Sequence, residues 1–217
     1  MSHKPQHFEL SESELRVRGV LPETFEAAYS GSPAWEIGRP QPFVEALLAR
    51  NALHGRVLDI GCGTCENALL MARHGLDIVA IDIVDAALAT ARQKIAAAEQ
   101  KKSISLWKTS VFDLNERLGT FDCALDSGTF HVFSDADQIR YAAAVRARLC
   151  EGGLLYLATF SEREQRPGGP RRLTEGEIRD AFASGWIVRD MEEITYAATR
   201  FEGGAKARLT TLQRNHE

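Results

Sequence analysis

Nowhere in its 217 residues does this sequence stay apolar for long enough to cross a bilayer, and the opening MSHKPQHFELSESEL has no apolar core of the kind a secretion signal needs. The expectation is a cytoplasmic protein without a membrane partner. A preponderance of one charge is also missing: 26 Lys and Arg stand against 30 Asp and Glu, a net −4, and the two signs are interspersed. That balance excludes a general attraction for nucleic acid or anionic lipid. Cysteine is scarce. Four residues do not make a disulfide framework in a chain of this length. Cys62 and Cys65 form a C-x-x-C, but zinc needs two further ligands. Neither Cys123 nor Cys150 belongs to a second such pair, and the histidines (His3, His7, His54, His74, His131, His216) are scattered, so no metal is expected. Redox chemistry at Cys62 and Cys65 is the alternative; the bland reading makes the pair a by-product of a glycine loop. Internal repeats and low-complexity tracts are absent as well.

What is present suits one core: 44% of the residues are hydrophobic. The first thirty residues are polar and read as mobile or loosely helical, with PETFEAAY (22–29) the best helical candidate. SGSPAWEIGRPQP (30–42) holds three prolines and two glycines and reads as irregular. These residues, 1–42, form an arm, and 43–217 the main domain, opening with a helix over 43–50. From Arg56 onward apolar strands alternate with amphipathic helices. Strands are expected at 57–60, 77–82, 104–108, 121–126 and 154–160. Helices are expected at 66–74, 85–100 with Asp85 as N-cap, and 135–150. A further helix begins near Thr174, where Glu177 completes a capping box. Two last strands, 186–194 and 206–213, flank a turn at Gly203-Gly204. The alternation predicts an α/β, doubly wound, Rossmann-like sheet of seven strands, mostly parallel, with an antiparallel C-terminal hairpin.

In such sheets ligands bind beyond the carboxyl ends of the central strands. There the sequence places VLDIGCGTCE (57–66), where Gly61 and Gly63 allow a sharp turn and close backbone approach. A dinucleotide loop, G-x-G-x-x-G, puts its third glycine at position 66, which is Glu66, a poor neighbour for a pyrophosphate. The Lys-Ser/Thr pair of a P-loop is missing too. The loop does resemble the E/D-x-G-x-G-x-G motif of class I S-adenosylmethionine-dependent methyltransferases, with Asp59, Gly61 and Gly63 in place and Cys65 where the third glycine stands. Twenty-one positions beyond Gly61, the second strand ends in Asp82, suited to accepting hydrogen bonds from both ribose hydroxyls.

PAWEIGRPQP (33–42), FDCALDSGTFHVF (121–133) and GPRRLTEGEI (169–178) add a narrower resemblance, covering roughly residues 22 to 212. They are similar to thiopurine methyltransferase-like enzymes, and more so to heterocyclic-toxin and quinone methyltransferases. The resemblance implies the class I methyltransferase fold, S-adenosyl-L-methionine as cofactor, and an arm folded over it as a lid. Carried over, Trp35 and Arg39 lie near the methionine moiety, with Arg39 a partner for its carboxylate. The remaining cofactor contacts it implies are Asp59, Gly61, Cys62 and Gly63 on the loop, Asp82 and Ile83 at the ribose, Ser110 (or Asp113), Val111 and Phe112 at the adenine, and Asp126 and Ser127 at the methionine end. Bland readings stand beside these: packing for Trp35, surface charge for Arg39, a turn cap for Asp126. His131, just after the fourth strand, is the candidate general base, against a histidine that merely packs or binds backbone. Phe130, Val132 and Phe133 would line an apolar pocket or form the first core turn of a helix, and Arg171 and Arg172 would shape the entrance or remain solvated. The activity implied is methyl transfer to O, N or S of a small aromatic or heterocyclic molecule, hydroxyquinolone- or quinol-like, in detoxification or secondary metabolism. The alternatives are a thiol or halide methyltransferase and a non-catalytic S-adenosylmethionine-binding module. The partner is a small molecule, with no nucleic acid, and the chain a monomer or homodimer.

Overall fold

The structure, a computed structural model, describes residues 10–215. The start of the arm (1–9, with His3 and His7) and the last two residues, with His216, lie outside the described residues. In chain order the elements are α1 (Glu12–Arg18), α2 (Pro22–Tyr29), α3 (Pro42–Ala49), β1 (Arg56–Ile60), α4 (Glu66–Arg73), β2 (Asp77–Asp82), α5 (Asp85–Ala97), β3 (Ile104–Lys108), β4 (Phe121–Ser127), α6 (Asp135–Arg146), β5 (Leu149–Phe160), α7 (Glu175–Ala181), β6 (Trp186–Tyr196) and β7 (Ala205–Arg214). Among the described residues no helix is long and apolar enough to cross a membrane.

Side chains alternate across a strand, so a strand buried on both faces feeds two cores. Val57, Ile78, Ala80, Cys123 and Leu125 enter the core beneath α3 and α4. Their neighbours Leu58, Val79, Ile81 and Ala124 enter the core beneath α6 and α7, where Tyr141, Val145, Ile178 and Phe182 meet them. The strands order as β3-β2-β1-β4-β5-β7-β6. The first five are parallel, and β7 runs antiparallel between β5 and β6. This is the doubly wound sheet with a C-terminal hairpin, and its order reverses between β1 and β4.

Most boundaries fall within a residue or two of the local reading, and the larger differences have physical causes. α5 stops at Ala97, and its N-cap is Val84, not Asp85, whose carboxylate instead accepts from Lys108 at 2.5 Å. α6 stops at Arg146 because Leu149 already pairs with Phe121, across a bulge, as the start of β5. Within the stretch read as mobile or loosely helical lies α1, opened by a capping box between Ser11 and Glu14.

Candidate active site

The reversal leaves a crevice beyond the tips of β1 and β4, where Ile60 stands in register with Ile81 on one side and Asp126 on the other. A cavity of about 250 Å³ occupies it, lined by the glycine loop, the arm, the segments after β3 and β4, and the end of β6.

On the loop side Gly61 has φ +65 and Gly63 φ +54, the left-handed region. A Cβ on Gly61 would come within 2.0 Å of Thr129 Oγ1, and one on Gly63 within 2.9 Å of the Tyr29 hydroxyl, so both positions require glycine. Gly63 N–H donates to Asp82 Oδ2 at 2.8 Å and Val84 N–H to Oδ1 at 2.9 Å, which aims the carboxylate at the loop. Burial raises the Asp82 pKa, against three backbone hydrogen bonds that lower it. Cys62, Ile83, Ser110 and Val111 join the lining. Asp113 is exposed and outside it.

Three of the expected contacts, Asp59, Phe112 and Asp126, do not line the cavity. Asp59 is buried behind the loop, and its Oδ2 has no hydrogen-bond partner. Burial first, then the negative charges of Asp126 and Asp82, push its pKa up to about 7. Asp126 turns into the opposite core. Its Oδ1 accepts from Thr129 N–H at 2.7 Å and Phe130 N–H at 3.3 Å, and its Oδ2 from the Tyr141 hydroxyl at 2.6 Å, so it caps the turn after β4. Phe112 packs edge-on against Phe133 beneath the Arg140 guanidinium.

The arm is tied to the loop by a chain of side chains. Trp35 Nε1 donates to the Tyr29 hydroxyl at 3.0 Å, and that hydroxyl donates to Glu36 Oε1 at 3.0 Å. Thr64 donates to Glu36 Oε2 at 2.7 Å, while Lys94 donates to both Thr64 and Glu66 at 2.7 Å. Trp35 and Arg39 both line the cavity, Arg39 as an exposed residue. Tyr29, Glu36 and Thr64 went unnoticed in the sequence. Glu36 lies inside a quoted stretch, yet its partner Thr64 is 28 residues away.

At the far end stand His131, Ser127, Gly128 and Tyr196. His131 is 4% exposed, and its Nδ1 accepts from Phe160 N–H at 3.0 Å. Burial lowers its pKa to about 3; Arg172 and, less, Arg171 push the same way, and a backbone hydrogen bond at Gly128 opposes them. This geometry favours the backbone-bound histidine over the base. The one lone pair of the neutral ring is engaged at Nδ1, so the proton sits on Nε2. Tyr196 donates to the Ser127 carbonyl at 2.9 Å, and burial raises its pKa to about 12. Phe133, Phe160 and Phe201 supply aromatic walls. Tyr196, Phe160 and Phe201 were also missed, since nothing local marks a strand-end residue as facing a loop far away in sequence.

Arg171 and Arg172 do not line the cavity. Arg171 is 2% exposed and donates to Phe133 O, Asp135 and Glu177. Arg172 donates to four backbone carbonyls of its own loop. Both pin the segment before α7 in place. Cys62 and Cys65 are free thiols, and a hydrogen bond to Cys65, with burial, pushes the Cys62 thiol well above its ordinary value. A redox thiol needs the opposite shift.

Residues 57–153 match the model of a family described as a methyltransferase domain. Over 181 residues the chain is 27% identical to 2-heptyl-1-hydroxyquinolin-4(1H)-one methyltransferase of Mycobacteroides abscessus, covering 79% of each. An uncharacterised methyltransferase of Schizosaccharomyces pombe is 33% identical over 116 residues, 54% of this chain and 79% of that one. Among solved structures, a chain from a study of the conversion of a disulfide bond into a thioacetal group during echinomycin biosynthesis superposes with a TM-score of 0.79 at 26% identity, covering 89% of this chain and 91% of that one.

Proposed function

The chain belongs to the class I S-adenosylmethionine-dependent methyltransferases that act on small molecules, and from that premise we propose that its acceptor is a flat aromatic or heterocyclic molecule of hydroxyquinolone or quinol type. The observation that carries this reading is the wall of rings beyond the glycine loop, where Phe133, Phe160, Tyr196 and Phe201 line the same cavity as Gly61 and Asp82. Burying a planar apolar molecule against such rings is favourable, and a simple halide ion has no use for them.

The residues present fit the cofactor. Gly61 and Gly63 present bare backbone to the cavity, and the Asp82 carboxylate, with three backbone hydrogen bonds, keeps acceptor capacity at the tip of β2. S-adenosylmethionine supplies the methyl group on a sulfonium, an electrophile that needs no further activation. In this reading the backbone of Gly61, Cys62 and Gly63 holds the methionine portion, and Asp82 accepts from the ribose hydroxyls. Ile83, Ser110 and Val111 surround the adenine. Arg39 pairs with the carboxylate, and the Ser127 carbonyl accepts from the ammonium. Trp35, held by Tyr29, closes the cavity from the arm and excludes water. The remaining task is orientation of the acceptor, which the aromatic walls perform. A role in detoxification or secondary metabolism follows from such an acceptor.

The test is methyl transfer, followed by mass spectrometry, to 1-hydroxyquinolin-4-ones, quinols, heterocyclic N–H compounds, alkyl thiols and iodide. Aromatic acceptors are expected to exceed alkyl thiols and iodide in kcat/KM by about tenfold or more. Preferred methylation of iodide or an alkyl thiol overturns the proposal. Binding of S-adenosylhomocysteine without turnover of any compound favours a non-catalytic module instead.

A further inference from the structure

Two polar groups converge on Gly128 at the aromatic end of the cavity. A Cβ built there would lie 3.0 Å from the Tyr196 hydroxyl and 3.4 Å from His131 Nε2. Each group's proton is placed by its partner. The Phe160 N–H occupies Nδ1 of His131, leaving Nε2 protonated. The Tyr196 proton points at the Ser127 carbonyl, and the Ser127 hydroxyl lies 3.3 Å from the Tyr196 hydroxyl oxygen. The carboxylates in the lining stand on the glycine-loop side and are engaged: Glu36 with Tyr29 and Thr64, Glu66 with Lys94, Asp82 with two backbone N–H groups. No side chain at the aromatic end therefore offers a strong proton acceptor, whereas Nε2–H is a donor beside Gly128, whose backbone it also meets. Positive charge also faces this end. Arg200 lines the cavity beside Gly168, and Arg171 and Arg172 act on His131 through space.

Building on the aromatic-acceptor reading above, we propose that the site takes acceptors that ionise in solution before transfer, such as acidic enols, N-hydroxyls, phenols or thiols. His131 is then the Nε2–H donor that holds the anion, and no general base operates. Charge balances without a proton step: the acceptor anion forms its bond to the methyl carbon as the carbon–sulfur bond breaks, the electron pair stays on sulfur, and a neutral ether or thioether leaves beside a neutral sulfide. The acceptor's proton has already gone to solvent. Phe160 N–H is the positioning group, since it sets the tautomer of His131.

Two measurements test this. The first needs no acceptor: imidazole 15N NMR of the protein with S-adenosylhomocysteine bound, from about pH 5 to about pH 9, is expected to show His131 neutral, protonated at Nε2 and bare at Nδ1 throughout. A bare Nε2 overturns the proposal. The second measures pH profiles of kcat/KM for ring-substituted 1-hydroxyquinolin-4-ones of graded acidity. The profile of each compound is expected to rise to a plateau at that compound's own hydroxyl pKa. One break common to all compounds, absent in His131→Gln, overturns the proposal. His131→Gln keeps an N–H near the Nε2 position and is expected to stay within about tenfold of the parent, while His131→Phe loses about 10²- to 10³-fold. S-adenosylhomocysteine affinity controls for folding in both variants, and equal loss in the two also sinks the donor role. If the NMR result is as expected but no compound is methylated, the aromatic-acceptor reading fails and the His131 tautomer assignment stands.

Discussion

Cys65 takes the place of the third glycine and keeps a glycine's backbone, with φ 69 and ψ 25, while its side chain is fully buried. The left-handed conformation costs a non-glycine residue about 1 kcal/mol, which packing of the sulfur offsets. Two substitutions separate these effects. Cys65→Ala keeps the backbone cost and loses the sulfur. Cys65→Gly loses slightly more packing but removes the backbone cost. In thermal denaturation Cys65→Gly is therefore expected to be at least as stable as the larger Cys65→Ala, with S-adenosylhomocysteine affinity unchanged. A glycine variant that is clearly the less stable of the two would show that the sulfur, not the turn, governs this position. The sequence displayed the residue and the motif it departs from; the angle that decides its cost came only from the structure.

Among the elements, α2 and the irregular segment after it depend on side-chain links rather than on a deep apolar face, since Ala28 is the buried residue of α2. Glu36 is the central link, accepting from Tyr29 on the arm and Thr64 on the loop. Glu36→Ala leaves both hydroxyls without their acceptor, a loss of roughly 1–3 kcal/mol confined to the arm. Amide exchange in α2 is expected to speed up by about tenfold or more while β1 and β4 keep their protection, with a parallel weakening of S-adenosylhomocysteine binding. Unchanged exchange in α2 would mean that other contacts hold the arm. Element identity was legible from the sequence, and β2 and β3 match their expected spans. The junction of α6 and β5 was not, because pairing of Leu149 with Phe121 lies outside any local window.

For the whole molecule, two buried carboxyls set a pH dependence of stability. Asp59 titrates at about 7 and Asp126 at about 6, both raised first by burial. A carboxyl raised in the folded state binds more protons there than in the unfolded chain, so stability falls as pH climbs from near 4 through these values. Removing the Asp59 charge by Asp59→Asn is expected to flatten that fall between about pH 4.5 and about pH 7.5, by on the order of 2–4 kcal/mol. Urea denaturation across that range checks it; an equally steep decline in the variant contradicts the assignment. Glu164 acts oppositely in a lower window: its Arg166 pairing holds the carboxyl down to about 2, and that stabilisation is lost as pH falls toward it. Sequence by itself determined the layered sheet, the glycine cradle and the carboxylate at the tip of β2, because side-chain period, backbone freedom and strand ends are properties of neighbouring residues. Tertiary structure alone decided that Asp126 faces the core and that Tyr196 joins the site from 69 residues away. It also decided that His131 Nδ1 accepts from a backbone N–H 29 residues distant, a contact no local pattern announces.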